Sequence, residues 1–173
     1  MKKISLAFCL TLLSSLFCPA QVSPLQFNKN GEFKIVQFTD IHFQYHNPAS
    51  AIALKRINEV LDAERPDLIV FTGDVVYAPP ADTAMRAVLD CASSRKIPFV
   101  VTFGNHDNEQ GKTRAELYDI IRSMPYNIQP DRGSVESPDY VLTVKSSDGK
   151  KDASVLYCLD SHSYSKLPDV KGY

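Results

Sequence analysis

Three short, almost wholly apolar runs, each followed by an amphipathic stretch, restrict this chain more than any other feature. FKIVQFT at residues 33–39, DLIVFT at 67–72 and PFVVTF at 98–103 are rich in β-branched and aromatic residues. The second and third lack the alternation of a half-solvated strand, as expected for strands covered on both faces of a parallel sheet. After the first run, Asn47-Pro48 offers a cap followed by proline at the first helical position, and Leu54, Ile57 and Leu61 then recur at helical spacing until Pro66. Residues 81–95 repeat the pattern, with Ala81, Ala84, Met85, Val88, Leu89 and Ala92 on one side. Thr113-Arg114-Ala115-Glu116 reads as a capping box ahead of a stripe of Leu117, Ile120, Ile121 and Met124. The order β-α-β-α-β-α predicts an α/β fold, a parallel sheet with right-handed crossovers and flanking helices. From Tyr140 the pattern changes: residues 140–145 and 153–159 flank Ser-Ser-Asp-Gly-Lys-Lys, which predicts a hairpin that starts a second sheet.

The first residues belong to another class. Lys2 and Lys3 precede an apolar run from Ile4 to Phe17, and Cys18-Pro19-Ala20 follows with small residues suited to cleavage. This pattern predicts a secretory signal peptide over residues 1–20, too short to span a bilayer, and export to the periplasm or outside the cell. Residues 21–173 then form one domain. Its formal charge falls from −1 to −3, because Lys2 and Lys3 leave and no acid does. No Lys/Arg run exceeds two residues, so neither charge nor patterning supports nucleic-acid binding, and a small phosphorylated substrate suits the chain better. Of the four cysteines, Cys91 and Cys158 lie beyond the leader, without the spacing of a metal knuckle, and are expected as buried free thiols.

Each apolar run ends in residues competent to bind metal: Asp40-Ile41-His42, Gly73-Asp74 and Gly104-Asn105-His106-Asp107. About one βαβ repeat separates successive clusters, so the topology should deliver all three to one edge of the sheet, where α/β folds bind ligands. Carboxylate, imidazole and amide donors suit hard or borderline cations, and a carboxylate with two oxygens can bridge a pair of them. Such a pair can share an activated hydroxide and clamp a phosphoryl group. A single Asp or Asn at a strand end is more often a turn residue, but the set of Asp40, His42, Asp74, Asn105 and His106 needs several coincidences to be structural. His46 and His162 are expected as solvated loop histidines.

In this order the motifs D-x-H, G-D and G-N-H-[D/E] resemble those of the calcineurin-like metallophosphoesterases. The segments FTDIHF, FTGD, GNHDNEQG and LYCLDSHSYS are most similar to a branch of purple-acid-phosphatase-like proteins, over about residues 33–165. The resemblance implies the first half of a four-layer αββα sandwich and a site of two divalent or mixed-valence ions (Mn, Fe or Zn). Asp40, His42 and Asp74 would hold one ion, and Asp74 and Asn105 the other, with Asp74 as the bridge. His106 would contact the phosphoryl group or protonate the departing oxygen, and Asp107 would orient or charge the site. Tyr77 stands where true purple phosphatases place an iron-binding tyrosine, yet their first motif lacks the histidine found here at position 42. The family's later lone histidine and G-H-x-H motif do not occur before Tyr173, so the expectation is a domain truncated at its C-terminus. The activity implied is hydrolysis of phosphate esters, monoesters first. The alternatives are a phosphodiesterase, or an inert binding or scaffold protein of the same fold.

Overall fold

The α/β order read from the sequence is the order of the elements in the structure, a computed structural model that describes residues 22–165 and 167–170. The leader expected over residues 1–20 lies outside them. Strands β1 (Ile35–Phe38), β2 (Leu68–Thr72) and β3 (Phe99–Thr102) form one parallel sheet in the order β1-β2-β3. Helices α1 (Ala51–Glu64), α2 (Ala81–Ser93) and α3 (Arg114–Arg122) make the crossovers and the return. β4 (Tyr140–Lys145) and β5 (Asp152–Cys158) pair antiparallel as the expected hairpin.

Local chemistry sets the helix ends. The Asn47 side chain caps a single 3-10 turn at Pro48–Ser50, which delays the start of α1 by three residues relative to the position of the proline. At the other end Arg65 turns left-handed, at a φ of 47°, and Pro66 cannot extend the helix. The capping box of α3 forms in full: Thr113 accepts from the Glu116 N–H, and the Glu116 carboxylate accepts from the Thr113 N–H.

A right-handed crossover between neighbouring strands, taken twice in the same direction, puts its helices on one face of the sheet. There Ile57, Leu61, Met85, Leu89, Leu117 and Ile121 pack on Ile69, Phe71, Phe99 and Val101. The other face, carried by Leu68, Val70 and Val100, is covered by Tyr140, Leu142, Val144, Leu156 and Cys158 of the hairpin. The layers are therefore helix, parallel sheet and hairpin, and each fully buried large apolar side chain contributes roughly 1.5–3 kcal/mol. Tyr118, outside the expected stripe of α3, is also fully buried, because its hydroxyl finds the Pro130 carbonyl at 3.0 Å. Cys91 and Cys158 are buried free thiols. Among the described residues no helix is long and apolar enough to cross a membrane.

Candidate metal centre

The parallel register brings Phe38, Phe71 and Val101 to one level, so the three strand-to-helix junctions leave the sheet at the same edge. They stay bonded beyond it: Asp40 N–H donates to Gly73 O at 3.1 Å, His42 N–H to Asp74 O at 2.8 Å and Phe43 N–H to Val75 O at 2.9 Å. Asp40, His42 and Asp74 hold φ values of 52°, 48° and 51°. This left-handed region is uncommon for side-chain-bearing residues, though Asp and His are tolerated there better than most. The second and third junctions approach even more closely. A Cβ added to Gly73 would lie 2.5 Å from the Gly104 N, and one on Gly104 would run into the Asp74 carboxylate.

Asp107 holds this edge together. It has no exposed surface, and its Oδ2 accepts from the N–H groups of Gly104 (2.9 Å) and Asp74 (3.0 Å) while Oδ1 accepts from Val75 (2.8 Å) and Val76 (3.1 Å). Burial pushes its pKa up, and the N–H donors, led by Gly104, pull against that shift. With both oxygens occupied by backbone, Asp107 is placed to shape the site and not to touch a substrate.

Asp74 is the centre. Its Oδ1 accepts the His106 N–H at 2.9 Å and its Oδ2 lies 3.4 Å from His42 Nε2. His42, Asp74 and His106 offer ligand atoms that all lie within 4.8 Å of one another. A carboxylate and an imidazole converging at that spacing are donors of the kind first-row divalent cations take, with the His106 ring beside them. Asp40 is exposed at the rim, outside that group of three, with its Oδ2 accepting from Thr39 Oγ1 at 2.6 Å. Asn105 sits between Gly104 and His106 on the loop that faces Asp74. The Tyr77 ring stands edge-on to both imidazoles, its centroid 5.0 Å from that of His42 and 5.0 Å from that of His106. His46 is exposed and stacks edge-on with Tyr45, and His162 lies at the end of β5.

One partner of this centre was not singled out from the sequence. Glu109 Oε2 lies 2.6 Å from His106 Nδ1, and since a carboxylate only accepts, the ring nitrogen carries the proton. The hydrogen bond to Glu109 holds the His106 imidazole above its ordinary pKa. Spacing could have revealed the pair, because residues i and i+3 eclipse on a 3-10 turn and Asp107–Glu109 forms one. In the metal-free chain Glu109→Gln is expected to lower the His106 pKa, measured by NMR titration of the ring Cε1–H. An unchanged midpoint would show that the carboxylate does not reach the ring in solution.

The model of the family described as calcineurin-like phosphoesterase matches residues 33–169. Among curated proteins, the chain is 34% identical to one from Arabidopsis thaliana named probable inactive purple acid phosphatase 29, over 93% of this chain and 48% of that one. It is 30% identical to Phosphatase DCR2 of Saccharomyces cerevisiae, over 84% of this chain and 29% of the yeast protein. It is 31% identical to a second Arabidopsis thaliana protein, probable inactive purple acid phosphatase 14, over 86% of this chain and 44% of the relative. The chain thus spans less than half the length of each of these relatives.

Proposed function

The chain belongs to the calcineurin-like phosphoesterase family, in its purple-acid-phosphatase-like branch, and from that premise we propose that it hydrolyses phosphate monoesters at a two-cation centre built around Asp74. The observation that carries the reading is the Asp74 carboxylate, with one oxygen turned to His42 and the other to the His106 loop. Asp40, His42 and Asp74 would hold one ion, and Asp74 and Asn105 the second. When bound, manganese, iron or zinc would supply Lewis-acid charge for the phosphoryl group and acidify an attacking water. His106 acts from the side. Its Nδ1 proton is held by Glu109, which leaves Nε2 as the ring position able to hand a proton to the departing ester oxygen. Glu109 stabilises the charged ring, and Asp107 fixes the distance between the Asp74 and His106 loops through four backbone donors.

With 4-nitrophenyl phosphate and added manganese, Asp74→Asn is expected to lower turnover roughly 10²–10³-fold, as does loss of a main electrostatic stabiliser, and to remove bound metal measured by elemental analysis. A wild-type chain that retains no metal and turns over no ester would sink the reading. That outcome would favour an inert binding or scaffold protein of the same fold, an alternative supported by the word inactive in the names of two relatives. The basic and then apolar residues 2–17 support export as part of this proposal.

A further inference from the structure

Beside the metal centre lies a cavity of about 1090 Å³, walled by residues 108–116 on one side and by residues 161–165, beyond the end of β5, on the other. Its near wall continues the metal-centre loop: Asn108 and Glu109 line it, and Glu109 holds His106. The walls are clamped where Arg114 makes a double hydrogen bond to Asp160 and donates to the Gly104 carbonyl, two residues before His106. A phosphoryl group seated between His42, Asp74 and His106 therefore has this cavity next to it for whatever the phosphate is esterified to.

The lining selects among alcohols. Among the described residues its cations are committed, Lys112 to Glu116 at 3.1 Å and Arg114 to Asp160 at 2.8 Å. A second phosphate, or the polyphosphate of a nucleotide, would find no uncommitted lysine or arginine among the described lining residues and would face Glu136 and Glu109. Hydroxyl and imidazole groups on the far wall, Ser161, Ser163 and His162, are placed to bond uncharged hydroxyls. Resting on the hydrolase reading above, we infer that this cavity receives the polyhydroxylated alcohol of a sugar or polyol monophosphate, and excludes bisphosphates and nucleoside polyphosphates.

The test is calorimetric titration of the manganese-loaded chain with inorganic phosphate, phenyl phosphate, glucose 6-phosphate and fructose 1,6-bisphosphate, in wild type and in a Ser161→Ala/Ser163→Ala variant. Two or three added hydrogen bonds should make glucose 6-phosphate bind at least about tenfold tighter than phenyl phosphate, and the bisphosphate more weakly than glucose 6-phosphate. The variant should lose most of that advantage while its affinity for inorganic phosphate stays the same. The inference is overturned if phenyl phosphate binds as tightly as the sugar phosphate, if the bisphosphate binds best, or if the variant binds glucose 6-phosphate like wild type. Failure of inorganic phosphate to bind the loaded chain would instead strike the hydrolase reading, and the cavity's role would fall with it.

Discussion

Asp107→Ala is expected to destabilise the chain by about 3–5 kcal/mol and to abolish metal binding, although Asp107 is not expected to touch a metal. Four backbone N–H groups, those of Gly104, Asp74, Val75 and Val76, converge on its carboxylate, and the variant leaves all four without their acceptor in a site closed to water. A buried donor stranded in this way costs about 1–3 kcal/mol, and relaxation of the loops keeps the sum below four separate penalties. The damage should also be local. The two junctions that Asp107 ties together carry Asp74 and His106, so they should part before the helical face of the sheet loosens. Denaturant unfolding gives the stability, and manganese titration of the still-folded variant gives the metal loss. Full metal affinity at reduced stability would mean that the junctions hold their spacing without the tie.

Arg114→Ala should cost a similar 3–5 kcal/mol, for a different reason. The guanidinium is 5% exposed and lies over the Phe103 ring, 5.5 Å from its centroid. It holds both oxygens of Asp160, at 2.9 and 2.8 Å. Truncating it leaves a buried carboxylate whose remaining donor among the described residues is the His162 N–H, while the Gly104 carbonyl loses the Arg114 donor as well. Removing both charges should be far less damaging than removing one, because a buried pair replaced by apolar groups forfeits little net energy. The double variant Arg114→Met/Asp160→Leu is therefore expected to recover most of the loss in chemical denaturation. No recovery would assign the effect to packing on Phe103 and to the stranded Gly104 carbonyl.

The elements of the fold were legible because their signals are local. The stripes of α2, the capping box at Thr113 and the unbroken apolar run of β2 each report on a few neighbouring residues, and each forms where it was read. Arrival of the three strand-to-helix junctions at one sheet edge followed from spacing, since one βαβ repeat returns the chain to the same edge. Direction was harder to read. Asp107 belongs to the same motif as His106, yet its carboxylate points inward to backbone while the imidazole faces Asp74 and Glu109, and residue type does not reveal which way a loop residue turns. The Arg114–Asp160 pair joins residues 46 apart, one in the first turn of α3 and one just beyond β5, which no local pattern encodes.

The left-handed backbone under Asp40, His42 and Asp74 has a consequence for how this protein could change over time. Glycine at Asp40 or His42 would relieve on the order of 1 kcal/mol of steric cost, whereas at Asp74 the relief would be offset by stranding the His106 N–H, so a lineage with no demand on these side chains would gain robustness by losing the first two. Whatever keeps aspartate and histidine at those points works against thermal endurance, and the surplus has to come from the interleaved helical face of the sheet, which Phe43 and Val75 join beside them.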